Sequence, residues 1–137
     1  MKVTYIGHSG FLMEWENCVW LFDYYRGEIP YVSPKKKVLV FVSHSHGDHF
    51  NPQIFERFAD YPQVEYILAS EVRHKVKRCG LSEKESGRVT FLKPHQSWQT
   101  KYGCGEDIRL YTCHSTDCGV AFLAEYQGKK IYHAGDL

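Results

Sequence analysis

Apolar runs alternate with turn-forming residues along most of the chain. The run "VLVFVS" (38–43) is continuous and rich in β-branched residues, which is typical of a strand buried on both faces. Near the start, "KVTYIGHSGFLMEW" and "CVWLFDYY" predict two strands joined by a turn at Glu16-Asn17. The later runs "VEYILAS", "RVTFLK", "IRLYTCHS", "GVAFLAEY" and "KKIYHAGD" predict five more strands, the last two joined by "QGK".

Two segments between these strands predict helices. "NPQIFERFADY" has an Asn cap, a proline at the first helical position and apolar residues at 54, 55 and 58. "SEVRHKVKRCG" has Ser70 as a cap and Gly80 as a terminator. Helices placed between strands indicate the α/β class with a large, mostly β centre, and residues 1–137 are predicted to form one unit.

Composition narrows the functional classes. Of 137 residues, 43% are hydrophobic and the net charge is +1, so nothing favours nucleic acid or an anionic membrane as the main partner. No stretch approaches the roughly 18 apolar residues of a membrane span, and the first residues lack a signal-peptide pattern. Five cysteines without a CxxC pair indicate reduced thiols, and the default expectation is a cytoplasmic protein.

Four potential ligands crowd into "HSHGDH", directly after the buried run: His44, His46, Asp48 and His49. Histidines two apart at the end of a strand project to the same side, and Gly47 lets the backbone turn so that His49 swings round. Imidazole and carboxylate suit Zn²⁺, Mn²⁺ or Fe²⁺, and four such residues are too many for one tetrahedral ion with an open position. The pattern therefore predicts a metal site with two ions, in preference to a solvated polar loop.

The same motif carries a resemblance to a known family. "HSHGDH" matches the HxHxDH signature of the metallo-β-lactamase superfamily, and "FD" at Asp23, "TCHSTDCGVAF" at His114 and "IYHAGD" at Asp136 follow the family's order. The chain resembles this family along its whole length. "GHSGFLME" and "STDCGVAF…IYHAGDL" resemble the branch of L-ascorbate-6-phosphate lactonase-like metal-dependent hydrolases.

The resemblance implies an αβ/βα sandwich and a set of metal ligands. His44, His46 and His114 would bind the first ion, Asp48 and His49 the second, and Asp136 would bridge the two. Asp23 would brace the ligand loop by hydrogen bonds, although a turn-stabilising aspartate is nearly as good an interpretation.

The sequence also departs from the family's pattern. Family members use one more histidine after the bridging aspartate, and this sequence stops at Leu137, so the fold is expected to be truncated and the second metal site is in doubt. An uncovered sheet face would be a large apolar patch, which predicts a homo-oligomer or a complementing fragment that covers it.

Two functions from different classes follow. The first is a hydrolase that uses a metal-activated water on an ester-like bond, a lactone or a phosphodiester, of a small molecule, with Asp48 orienting the nucleophile or moving its proton. The second is a catalytically incomplete metal-binding fragment or subunit. Three further residues stay open: His8 could reach the substrate or simply shape a turn, His133 could support a ligand or pack as a ring, and Cys113 could ligate a metal or fill the core.

Overall fold

A computed structural model describes residues 1–100, 108–115 and 118–136. Within these ranges ten strands form two sheets with short helices between some of them. No helix in this part of the chain is long and apolar enough to cross a membrane.

The first sheet has six strands in sequence order. The first three strands pair antiparallel with one another, and the pairings from the third strand to the sixth are parallel. Parallel strands buried on both faces need continuous apolar runs, and every residue of the third, fourth and fifth strands is buried. The strands are β1 (Lys2–Gly7), β2 (Gly10–Glu14), β3 (Cys18–Phe22), β4 (Lys37–Val42), β5 (Val64–Ala69) and β6 (Val89–Leu92).

The second sheet has four antiparallel strands in the spatial order β10 (Lys129–His133), β9 (Val120–Tyr126), β8 (Arg109–His114) and β7 (Ser97–Gln99). Residues Gln127 and Gly128, both with positive φ, turn the chain between β9 and β10, as two-residue hairpins require. Buried and exposed residues alternate along much of β8 and β9, which leaves one face of this sheet towards the core and the other outward.

Aromatic side chains join the layers. Phe41 of the first sheet lies edge-on to Phe122 of the second, with ring centroids 5.3 Å apart. On the opposite face, Phe55 packs on Tyr66 of β5 at 4.7 Å. The helices are α1 (Ile54–Arg57), a 3-10 turn (Ser70–Val72), α2 (Arg73–Arg78) and α3 (Glu83–Ser86), and the buried apolar side chains form one contiguous cluster.

Most predicted strands are confirmed, with one correction. The run "KVTYIGHSGFLMEW" is not one strand, because the chain reverses at His8-Ser9 and its two halves pair antiparallel as β1 and β2. Alternation along both halves hid the turn. The chain reverses there within two residues, between Gly7 and Gly10.

The helix predictions are only partly confirmed. α1 is a single turn beginning at Ile54, and Asn51 accepts the Gln53 amide at 3.0 Å rather than capping a long helix. Ser70 starts a 3-10 turn instead of capping α2, and α3 and β7 were not predicted. Short elements are set by the strands they connect, so local sequence predicts them poorly.

The two sheets meet beside the end of β4. The Val120 amide donates to the Ser43 carbonyl at 2.8 Å. A Cβ on Gly119, whose φ is +78°, would lie 2.0 Å from that carbonyl oxygen, so only glycine fits the junction. Gly119 and Val120, at the start of β9, are thereby held against the backbone of Ser43 and His44.

Candidate metal centre

A buried carboxylate organises the end of β4. Asp23 follows β3 with φ +45° and is fully buried. One oxygen accepts the Ser43 amide at 2.7 Å, while the other accepts the Ser43 hydroxyl at 2.6 Å and lies 2.9 Å from His49 Nδ1. A carboxylate that accepts three donors is fixed in orientation, and it fixes its donors in turn. The predicted bracing role of Asp23 agrees with these contacts.

These bonds define the tautomers of two histidines. An ionised carboxylate only accepts hydrogen bonds, so His49 donates Nδ1–H to Asp23. The Ser43 hydroxyl donates its one hydrogen to Asp23. It therefore accepts the Nδ1–H of His44, which lies 2.8 Å away. In both rings Nε2 is left to face the interior of the site.

The two Nε2 atoms are buried and converge on one carboxylate. His44 and His49 are fully buried, and neither Nε2 has a hydrogen-bond partner among the described residues. One oxygen of Asp136, from the other sheet, lies 3.9 Å from His44 Nε2 and 3.8 Å from His49 Nε2. Nitrogen lone pairs that face a carboxylate are repelled by its negative charge. A cation bound between these atoms would turn the repulsion into attraction.

The remaining residues of the predicted loop lie at the mouth of this cluster. His46 is exposed, with its ring centroid 4.7 Å from that of His44, and the ligand atoms of His44, His46 and Asp136 lie within 4.8 Å of one another. Asp48 lies 3.7 Å from His49 Nε2. Five of the six predicted ligands are therefore brought together.

His114 is the sixth predicted ligand and sits slightly apart. It ends β8, and its ring packs edge-on against His95 with centroids 4.9 Å apart. It does not share any of the close ligand groups found among residues 1–100, 108–115 and 118–136. Its register partner Val120 bonds to Ser43, so the end of β8 nevertheless lies next to the cluster.

Three contacts around the loop were not predicted. The Ser45 amide donates to Glu71 at 2.7 Å, and the Lys75 ammonium donates to the Ser45 carbonyl, so both backbone polar groups of the residue between His44 and His46 are held. The only sequence signal for this pair is their i,i+4 spacing after β5. The Cys118 thiol lies 3.8 Å from His46 Nε2. Cys113, the cysteine considered as a ligand from the sequence, lies on β8.

The structure shows the surroundings of His8 and His133, each of which had two possible roles from the sequence. His8 Nε2 lies 2.8 Å from an Asp48 oxygen. His133 stacks on Phe22 with centroids 4.9 Å apart and lies 3.9 Å from Asp23 through its Nε2. Its Nδ1 accepts the Gly135 amide and its Nε2 lies 3.3 Å from the Ser9 carbonyl oxygen, so the ring is both packed and hydrogen-bonded to the backbone. Thr116 and Asp117, which also follow His114, lie outside the described residues.

Charge and burial shift three pKa values in the cluster. Burial and the neighbouring His49 lower the pKa of His44, which keeps it neutral. Burial alone would lower the pKa of His49, but the hydrogen bond and charge of Asp23, together with Asp48 and Asp136, raise it overall. Burial is the largest single influence on the pKa of Asp48 and raises it, but His49, a backbone hydrogen bond and His8 together lower the pKa overall. A metal ion would take the place of the proton that these carboxylates favour on His49.

The donor set and its spacing fit a divalent metal. Two ligands of one tetrahedral zinc ion stand about 3.4 Å apart, given bond lengths of about 2.0–2.2 Å. The separations of 3.7–3.9 Å among His44, His49, Asp48 and Asp136 are close to this value. Histidine nitrogen and carboxylate oxygen are the ligands that zinc, manganese and ferrous iron accept.

Comparison with known proteins agrees with this geometry. Residues 2–137 match the model of the beta-lactamase superfamily domain. The chain belongs to the metallo-β-lactamase superfamily. A UPF0173 metal-dependent hydrolase from Pelotomaculum thermopropionicum is 30% identical over 99% of this chain and 62% of its own length. The chain therefore spans about three-fifths of that relative.

Solved structures show the same fold. A metallo hydrolase from Ignicoccus hospitalis has a TM-score of 0.64 at 18% identity, and a putative metal-dependent hydrolase from Parabacteroides distasonis has 0.67 at 17%. Each match covers 98% of this chain and 60% of the other. The predicted metallo-β-lactamase-like fold is confirmed, and the match covers three-fifths of each of these relatives.

Proposed function

We propose that this chain provides the metal-binding half of a metal-dependent hydrolase that holds two zinc ions, with Mn²⁺ or Fe²⁺ as substitutes. The observation that carries the proposal is the pair of buried, unpartnered Nε2 atoms on His44 and His49 that face one Asp136 oxygen. Buried polar atoms are almost always paired. Trp15 Nε1 and Trp20 Nε1 are also buried without a partner, but only the two imidazole nitrogens among these atoms can ligate a metal and face a carboxylate, and this combination supports a ligand position. The names of the relatives point the same way.

We assign the ligands as the resemblance implies. His44, His46 and His114 hold the first ion, Asp48 and His49 the second, and Asp136 lies between them. The nearly equal distances from Asp136 to His44 and His49 support its bridging position. Support for His114 is weaker in geometry and rests on its place at the end of β8, beside the Ser43 backbone.

The reaction follows from the chemistry of this donor set. Bound divalent ions supply Lewis acidity, which makes a water nucleophilic near neutral pH and polarises the scissile bond. Asp48 is 40% exposed at the mouth of the cluster, where it can orient that water and accept its proton. Asp23 and Ser43 keep His44 and His49 in the tautomer that leaves Nε2 free to bind.

The substrate we propose is a small molecule with an ester-like bond, a lactone or a phosphodiester, as in the L-ascorbate-6-phosphate lactonase-like branch. A net charge of +1 gives no electrostatic support for nucleic acid as substrate. A cytoplasmic location and a single unit over residues 1–137 stay predictions.

Metal content and a substrate screen test the proposal. Purified wild type should carry zinc, manganese or iron, and His46→Ala should lose most of it without unfolding, because His46 is exposed. His74→Ala, an exposed histidine outside the cluster, is the matched control. Metal-free wild-type protein that fails to take up these ions would overturn the proposal, and turnover of model lactones or phosphodiesters would identify the bond.

A catalytically incomplete subunit is the second candidate, and one surface favours it. Tyr111, Leu123 and Tyr132 are direct register partners across three strands of the second sheet, and they are 39%, 39% and 59% exposed. Such an apolar row supports our proposal that a second copy or a complementing segment covers this face. Metal uptake without turnover, together with a dimer or larger species in sedimentation, is the expected result for this candidate.

A further inference from the structure

The turn between β1 and β2 places a histidine in an unfavourable backbone conformation. His8 has φ +52°, the left-handed region in which glycine is favoured over residues with a side chain. Glycines flank it at positions 7 and 10, so the turn could have used a third glycine without strain. A side chain at such a position points to contacts that offset the strain.

Those contacts are made to the metal centre. His8 Nε2 lies 2.8 Å from an Asp48 oxygen, and the His8 ring meets that of His49 edge-on, with centroids 5.4 Å apart. The same Asp48 oxygen lies 3.7 Å from His49 Nε2, the buried nitrogen without a partner. Asp48 is therefore held from outside by His8 and faces the ligand cluster inside.

We propose that His8 is a positioning residue that donates Nε2–H to Asp48 and aims the carboxylate at the second metal position. The inference rests on the proposed metal site and adds a residue to it. The separation of 2.8 Å fits a hydrogen bond between imidazole and carboxylate. His8, Asp48 and His49 also form a group whose ligand atoms lie within 4.8 Å of one another. The His8–Asp48 separation is nevertheless that of a hydrogen bond and is shorter than the about 3.4 Å expected between two ligands of one zinc ion, so we place His8 on Asp48 and not on the metal.

Two substitutions separate the backbone role of His8 from its contact with Asp48. His8→Gly removes the donor but suits φ +52° better than histidine, so the metal-free protein should unfold at the same or a higher denaturant concentration. Its affinity for the more weakly held zinc ion should fall about 10–100-fold, the usual effect of losing a partner of a ligand. His8→Gln keeps an N–H donor and should bind zinc within a few-fold of wild type.

Zinc titration of the metal-free protein, with circular dichroism to confirm folding, gives the readout. His74→Ala is the control and should match wild type in both measurements. Unchanged zinc affinity in His8→Gly would show that His8 only shapes the turn, and loss of one zinc equivalent in both His8→Gly and His8→Gln would make it a ligand. Either result overturns the positioning role while the proposed function stands, whereas no zinc uptake by wild type overturns both.

Discussion

The two ends of β4 carry buried polar clusters with opposite outcomes. At its start, Lys37 and Glu65 are 1% and 2% exposed and form an ion pair of 3.1 Å, with the Thr100 hydroxyl donating to Glu65 at 2.6 Å. Just past its end, His44 and His49 are equally buried, yet each leaves an Nε2 without a partner among the described residues.

The difference separates a structural cluster from a candidate functional one. A buried charge is tolerated when an opposite charge and hydrogen bonds compensate it, as at Lys37 and Glu65. Buried lone pairs directed at a carboxylate are compensated only when a metal ion or a proton joins them. Burial alone would not have distinguished the two ends, whereas the pairing of individual atoms does.

The largest expected effect is at the structural end. Lys37→Met leaves Glu65 charged and buried, so it should lower the free energy of unfolding by about 3–5 kcal/mol. Zinc affinity of the folded protein should stay at the wild-type value, because β4 separates the two clusters. Urea denaturation and zinc titration give the two numbers. The double variant Lys37→Met with Glu65→Leu should recover most of the stability, and a failure to recover would point to lost packing in place of lost charge.

Metal addition should act at the other end alone. Zinc at about 100 times its dissociation constant should raise the free energy of unfolding of wild type by about 2.7 kcal/mol. The same increment is expected in Lys37→Met, since the clusters are independent. Thermal unfolding with zinc and with a chelator measures it. Equal unfolding in both conditions would contradict a metal that binds the native state.

Asp23→Asn should weaken the functional end in two ways. An amide offers N–H groups where Asp23 accepts three donors, so unfolding should become easier by about 1–3 kcal/mol. Zinc affinity should fall about 10–100-fold, because the tautomers of His44 and His49 are no longer fixed. Asp60→Asn removes one exposed carboxylate and is the control for charge. If both variants bind zinc alike, Asp23 does not organise the site.

The smallest expected effect on stability concerns the backbone of Ser45, the residue between the proposed ligands His44 and His46. Glu71→Ala removes the acceptor of the Ser45 amide and should cost about 0.5–1.5 kcal/mol. Glu71→Gln keeps an acceptor oxygen, so it should restore both stability and zinc affinity. Denaturation and zinc titration of the pair test this, and two variants that behave identically would show that the bond does not hold the loop.

The sequence predicted those features that depend on residues close together in the chain, namely strands, turns and the ligand motif. The buried run 38–43 became β4, the "QGK" turn joined β9 and β10, and the motif placed His44, His46, Asp48 and His49 beyond a buried strand. The correct fold class followed from the order of these runs, because periodicity and turn residues act over a few positions. The same locality explains the missed turn at His8-Ser9, where alternation continues on both sides.

Only the tertiary structure decided which residues of the site contact one another. Asp136 meets His44 and His49 from a different sheet, and no local pattern encodes that approach. The roles of Asp23 and His8 likewise depend on contacts with Ser43, His49 and Asp48 across long sequence separations. Sequence lists the groups that can bind a metal, whereas tautomers, unpaired atoms and hydrogen-bonded supports exist only once packing has fixed those groups in space.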